Sequence, residues 1–313
     1  MNKNLLEKNQ IMNGHLNLKL ANAARTFASR KLSDAAKGIS YNFKTLNVTS
    51  PHEHVYHVEL NRPESRNAMN PTFFDELKAC FMQLQNDSNC RSIVLSGKGK
   101  GFTSGLDLKE VTNIMNPGDS DDVGRKAFAI RKLVEHYQDS ISSVEVCHKP
   151  VIACVHGHCV GGGIDLITAC DIRYCSKDAW FSVKEVDIGL AADIGTLQRF
   201  PKTVGNDSLV RELVYTARKF TSEEAHKLGL VSKVVSDEEN LMKEGLELAK
   251  VIASKSPVAV QGSKINLIYS RDHSVHEGLK YMISWNGSML QSEDVLKAAM
   301  ASMSKETPKF SKL

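Results

Sequence analysis

No run of about 18 uninterrupted apolar residues occurs in this 313-residue chain, so the sequence offers no membrane span. Its seven cysteines, at positions 80, 90, 147, 154, 159, 170 and 175, include no C-x-x-C pair. Several sit in apolar runs such as Val151-Ile152-Ala153-Cys154-Val155. That placement points to buried, reduced thiols of an intracellular protein rather than to disulfides or zinc. No G-x-G-x-x-G follows the first strand, and no G-x-x-x-x-G-K-[ST], H-E-x-x-H or G-x-S-x-G is present. A dinucleotide site, a phosphate loop, a zinc helix and a serine elbow are thereby set aside. His156 and His158 could share one strand face, but a metal needs more ligands than the sequence places beside them, so no metal is expected.

What charge there is lies unevenly. Residues 1–50 hold eight Lys or Arg against two acids, +6 in all, which leaves the other 263 residues at −2 of the net +4. The near-neutral body gives no reason to expect nucleic-acid binding. From Leu16 to Ser33 the chain is basic, rich in small residues and free of acids, the composition of a mitochondrial transit peptide. The last three residues, Ser311-Lys312-Leu313, form a peroxisomal address, expected to be accessible to an import receptor after the polar 305–309 stretch. The expected organisation is a leader over 1–48, a core over 49–255, a helical region over 256–305 and a tail over 306–313.

The core reads as α/β. Val55 to Leu60 alternates, and Ser92 to Ser96 and Val151 to Val155 are buried-strand runs, with shorter strands at Ile172 to Cys175 and Trp180 to Val183. Asn70-Pro71 starts a helix, with Asn70 as cap and Pro71 in the first turn. After Pro257 the pattern is helical to about Ser304. One helix there spans roughly His276 to Met289, with Asp272 or Ser274 as cap and an apolar face of Leu279, Met282, Ile283 and Leu290.

Two glycine-rich turns and three acids are the candidate chemistry. A strand ending at His156-Gly157-His158 leads to Gly161-Gly162-Gly163 and a helix from Ile164 to Cys170; Gly101 to Leu108 is a second turn of small residues. Two such turns can aim backbone N–H groups at one developing oxyanion. Asp165, Glu185 and Asp193 lie in apolar surroundings, and no basic residue falls between Lys184 and Arg199. Acids so placed are either ion-pair members or proton carriers, and two within reach of one substrate can divide base and acid roles. As ion pairs they would take Arg173 for Asp165, Lys184 for Glu185 and Arg199 for Asp193.

Asn61-Arg62-Pro63-Glu64-Ser65-Arg66-Asn67-Ala68-Met69, the turn Gly101 to Leu108, and Lys149-Pro150-Val151-Ile152-Ala153 through Gly161-Gly162-Gly163-Ile164-Asp165-Leu166 resemble the enoyl-CoA hydratase/isomerase (crotonase) superfamily. The resemblance runs in order from about residue 50 to 305. The stretch Lys184 to Arg199, above all Asp193, is similar to its dienoyl-CoA isomerase branch; hydratases carry glycine at that position and glutamate where Asp165 stands. The resemblance implies a spiral of ββα units with C-terminal helices that build a homotrimer or a dimer of trimers. It implies an acyl-CoA substrate bound by Ser104, Gly105, Leu106, Asp107, Leu108 and Gly162, with the N–H groups of Leu106 and Gly162 as oxyanion hole.

By the same resemblance, the reaction moves a proton from C2 to C6 of a 3,5-dienoyl-CoA through a dienolate. Glu185 would be the base at C2, Asp193 the acid at C6 and Asp165 a supporting residue, with the roles of 185 and 193 open to exchange. No cofactor is called for. The expected setting is peroxisome and mitochondrion. Arg62, Lys100 and Lys264 are basic residues expected at the surface, where CoA phosphates would be met. The alternatives are an enoyl-CoA hydratase, a 3-/2-enoyl-CoA isomerase, or a non-catalytic RNA-binding member of the fold.

Overall fold

The structure, a computed structural model, describes residues 40–110 and 122–313. The transit-peptide reading of Leu16 to Ser33 lies outside the described residues. The boundary at residue 48, by contrast, moves. Strand β1 (Leu46–His52) already belongs to the main sheet. Before it, the Tyr41 hydroxyl donates to Asp87 at 2.9 Å, and the Glu76 carboxylate accepts the N–H groups of Lys44 and Thr45. The body therefore begins by Tyr41, because these polar anchors and the sheet edge need those residues.

Six strands form the main sheet in the order β1, β2 (Val55–Leu60), β3 (Ser92–Gly97), β4 (Val151–Val155), β6 (Ile172–Ser176) and β9 (Lys233–Val235). Only the β1–β2 pair is antiparallel. A parallel sheet needs crossovers that cover both faces, which is why β3 and β4 are buried along their whole length. One face packs on α1 (Pro71–Asn86), which contributes Phe73, Phe74, Leu77, Cys80, Phe81 and Leu84 at helical spacing. Pro71 opens that helix, and Asn70 accepts the Phe73 N–H at 3.0 Å. Val55, Val94, Ile152 and Cys154 point to the other face, against Leu241, Ala249 and Ala253 of α7 (Glu238–Ala253). All seven cysteines are buried and unpaired.

A second sheet of three short strands carries the site: β5 (His158–Val160), β7 (Trp180–Ser182) and β8 (Phe220–Thr221). The single strand expected to end at His158 is two strands, for the chain turns at Gly157 between β4 and β5. Helix α3 (Gly162–Ala169) follows β5 and starts two residues earlier than expected. The long helix α2 (Val123–Val146) packs against both α1 and α3. Helices α4 (Thr196–Thr203), α5 (Asp207–Thr216) and α6 (Ser222–Leu228) complete the core.

The C-terminal region comprises α8 (Pro257–Arg271), α9 (Val275–Met289) and α10 (Glu293–Ser304). Ser274 caps α9 in a reciprocal capping box with Glu277, whereas Asp272 ends α8. Within the chain α9 buries no residue, and Leu279, Ile283 and Leu290 are exposed. The tail runs back over the body. The Arg91 guanidinium donates to the carbonyls of Ala253, Phe310 and Ser311, the Ser311 hydroxyl donates to Glu293, and Lys312 reaches Asn89. Ser311, Lys312 and Leu313 are exposed, with these contacts made along one side of the tail.

Candidate active site

Two turns meet because β5 joins them. Thr103 bridges Cys159, its N–H donating to the His158 carbonyl while Val160 donates back to the Thr103 carbonyl. Gly105 and the Gly161–Gly162 turn consequently lie side by side. At Gly105 φ is +84°, and a Cβ there would stand 2.7 Å from the Val160 carbonyl oxygen and 3.4 Å from the Gly162 nitrogen. Only glycine lets the two backbones come this close.

That approach sets up two free donors. A bridge between Met69 and Leu106 uses the Gly105 carbonyl and the Asp107 N–H, which turns the Leu106 N–H the other way. Gly161 spends its own N–H on Ser182, whereas Gly162 is the first residue of α3, whose N–H has no carbonyl one turn back. No acceptor among the described residues takes the N–H of Leu106 or of Gly162.

A cavity of about 150 Å³ opens on these turns. Ser104, Gly105, Leu106, Leu108 and Gly162 line it, together with Glu185 and Asp193. Asp107, expected to bind substrate, does not: its carboxylate turns away to Arg62 at 3.3 Å and is itself largely buried. Arg62 is thereby engaged too, and it also donates to the Ala68 carbonyl. Lys264 is not a surface residue but is 5% exposed, paired with Asp171 at 2.8 Å and donating to the Lys149 carbonyl.

None of the three acids has the ion-pair partner available from sequence. Lys184 pairs with Asp187, Arg199 with Glu145, and Arg173 donates to the carbonyls of Leu230, Ile167 and Cys170. Glu185 is 8% exposed with one buried carboxylate oxygen unpartnered. Burial pushes it up to about 7, and the neighbouring carboxyls of Asp165 and Asp193 add to the push. Asp193 is half-buried, and burial raises it against the pull of its own N–H. Asp165 is fully buried and does not line the cavity. One of its oxygens accepts the Thr196 N–H at 2.5 Å and so caps α4, while the other has no partner. Burial pushes it to about 6 despite that hydrogen bond.

The apolar wall of the cavity is not legible in residue order. Met69, Phe74, Leu133, Val134, Tyr137, Ile188, Leu190 and Ile194 also line the cavity, beside Val160, Gly161 and Lys184. Phe74 of α1 and Tyr137 of α2 stack with ring centroids 3.8 Å apart. Nothing local distinguishes such residues from ordinary helix-core positions; the only available signal was their place in amphipathic segments flanking the glycine turns. The site is therefore an apolar slot with two donors for an oxyanion and two carboxyls with raised proton affinity, a constellation for moving protons next to a polarised carbonyl.

A model of the enoyl-CoA hydratase/isomerase family matches residues 51–312. The chain belongs to that family. It is 52% identical over 302 residues to the mitochondrial delta(3,5)-delta(2,4)-dienoyl-CoA isomerase of Rattus norvegicus, covering 96% of this chain and 92% of that protein. With the peroxisomal delta(3,5)-delta(2,4)-dienoyl-CoA isomerase of Arabidopsis thaliana it shares 45% identity over 275 residues, 87% of this chain and 99% of the other. Among solved structures, an enoyl-CoA hydratase from Bacillus anthracis superposes with a TM-score of 0.77 at 29% identity, over 85% of this chain and 99% of that one.

Proposed function

We infer that this chain is an isomerase of fatty-acid β-oxidation that converts a 3,5-dienoyl-CoA into a 2,4-dienoyl-CoA, the activity named for its Rattus and Arabidopsis relatives. One observation carries the mechanistic reading: Glu185 and Asp193, both without a cation partner, line the same apolar cavity as the free N–H groups of Leu106 and Gly162. The thioester oxygen is received by those two N–H groups. Glu185 removes the C2 proton, and the resulting dienolate carries its charge onto the oxygen, where each donor is worth about 10²–10³ in rate. Asp193 delivers a proton to C6, the C5–C6 bond becomes single, and the two double bonds come to rest at C2–C3 and C4–C5. A proton leaves one carbon and another arrives at a second, so the step is redox-neutral and draws on no cofactor.

Both carboxyls have the raised proton affinity that base and acid duty on one substrate require. A base with its pKa near 7 is about half ionised at neutral pH and still a strong proton acceptor. In the free protein the larger upward shift falls on Glu185, since Asp193 is more open to water. An acyl chain filling the slot would strip that water away, raising Asp193 further and favouring its protonated form. Asp165 supports the site by capping α4 next to Asp193. Its absence from the cavity wall argues against hydration, which needs a second carboxylate beside the one at C2 to activate water.

The setting is mitochondrion and peroxisome, as for the two relatives. An import receptor reading Ser311-Lys312-Leu313 would first displace the Arg91 and Glu293 contacts. The apolar side chains that α9 and α10 leave exposed, among them Leu279, Ile283, Leu296 and Met300, suit burial between identical subunits in a trimer or a pair of trimers. The test is to supply 3,5-dienoyl-CoA and follow the conjugated 2,4-dienoyl chromophore. Fast appearance is expected, with hydration of a 2-enoyl-CoA slower by orders of magnitude; hydration at a matching rate would overturn the reading.

A further inference from the structure

Asp193 stands on backbone that belongs to no regular element. From Leu190 to Gly195 the chain forms neither helix nor strand, so no hydrogen-bond ladder fixes the acid. Beyond the backbone bonds at its ends, from the Leu190 N–H to the Glu185 carbonyl and from the Gln198 and Arg199 N–H groups to the Gly195 carbonyl, three side chains hold it. The Gln138 side-chain amide donates to the Asp193 carbonyl at 2.6 Å. The Asp165 carboxylate takes the Thr196 N–H at its end. Between them the Arg199 guanidinium lies over Gly195, where φ is +141° and a Cβ would overlap a guanidinium nitrogen at 2.0 Å.

Arg199 is itself held in place. It donates to the Ser142 hydroxyl at 2.9 Å and twice to Glu145, at 3.0 and 3.1 Å. Gln138, Ser142 and Glu145 are spaced by four and three residues and therefore form one stripe along α2. Leu133, Val134 and Tyr137 of the same helix line the cavity, so α2 touches the slot with one face and the acid turn with another. Glu145 also accepts from Arg271 of α8, which ties the stripe to the C-terminal helices.

We infer that Arg199 is a positioning residue for Asp193: clamped between Gly195 and the Ser142–Glu145 stripe of α2, it holds the turn that presents the acid to the distal end of the dienolate. The inference rests on the proton-transfer reading above. Its physical content is that a carboxyl on an unladdered turn samples many orientations, and a displacement of about 1 Å can cost about 10²-fold in rate. Glu185 lies instead in a 3₁₀ turn (Glu185–Ile188) of its own, which Gly189 closes by donating its N–H to the carbonyls of Glu185 and Val186. Loosening the clamp should therefore impair protonation at C6 while leaving proton removal at C2 largely intact.

The experiment measures two rates on 3,5-dienoyl-CoA in D₂O, exchange of the C2 hydrogen and formation of the 2,4-dienoyl product. For Arg199→Met and Glu145→Gln, kcat for product falls by about 10- to 100-fold with KM within about twofold, and the ratio of exchange to product rises. Arg199→Lys, which keeps charge but not the forked contact, falls between these and the parent chain. Should Arg199→Met fail to fold, Glu145→Gln preserves the shape of the pair and keeps the test. Exchange and product falling together at an unchanged ratio in Glu145→Gln and Arg199→Lys would make the clamp a support of the fold alone and overturn the proposal, as would parental turnover in Arg199→Met. A parent chain that neither exchanges C2 nor isomerises would instead overturn the proton-transfer reading beneath it.

Discussion

Glu145 and Glu185 are buried to nearly the same degree, 9% and 8% exposed, yet they hold protons in opposite ways. Burial alone would raise both. At Glu145 the guanidinium groups of Arg271 and Arg199 reverse that push and hold the carboxyl below its ordinary range. At Glu185 no cation answers, two further carboxyls stand near, and the group rises to about 7. The difference is one of neighbours, not depth. One glutamate is a permanent anion that fastens three helices, and the other is free to gain and lose a proton.

The largest effect expected from this contrast is on turnover. Glu185→Gln and Asp193→Asn should each lower kcat for isomerisation by about 10²–10⁴ with the fold retained, since each removes a proton carrier and leaves the shape. Steady-state kinetics with circular dichroism checks this, and near-parental turnover in both would erase the distinction between the two regions. Next in size, Glu145→Ala should destabilise the protein by about 3–5 kcal/mol in denaturant unfolding, because it strands the buried Arg199 guanidinium. A loss under about 1 kcal/mol would show that the pair is worth no more than an exposed one.

The smallest effect concerns pH. A carboxyl raised in the folded state favours folding below its unfolded pKa and gives that advantage up as pH rises through the folded value. Glu185→Gln should therefore raise Tm relative to the parent chain at about pH 8, with the gain shrinking as pH falls through about 7 and gone below about pH 4. Thermal melts across that range decide it, and a gain that grew toward acid would contradict the sign.

Much of the frame was legible in residue order. The strand runs at Val55, Ser92 and Val151, the Asn70-Pro71 helix start and the two glycine turns need only short-range rules, and they stand where those rules put them. The turn at Gly157 and the start of β1 at Leu46 were less visible, since both depend on partners distant in sequence. Ion pairing was the least legible. Lys184 and Arg199 flank the acids in sequence, but Lys184 turns to Asp187 and Arg199 to Glu145, a residue of α2 more than fifty positions earlier. Asp107 shows the same limit, its side chain drawn out of the substrate turn by Arg62.

The sequence by itself determined the class of fold, the family and the short list of candidate acids, because hydrophobic period, glycine turns and the Lys184–Arg199 motif are properties of neighbouring residues. Tertiary structure alone decided which acids face the cavity, which are left without a cation and which apolar side chains wall the slot. The physical reason is that a carboxyl's proton affinity depends on water and charge within a few ångströms, and folding brings those from α2, α3 and the site turns together.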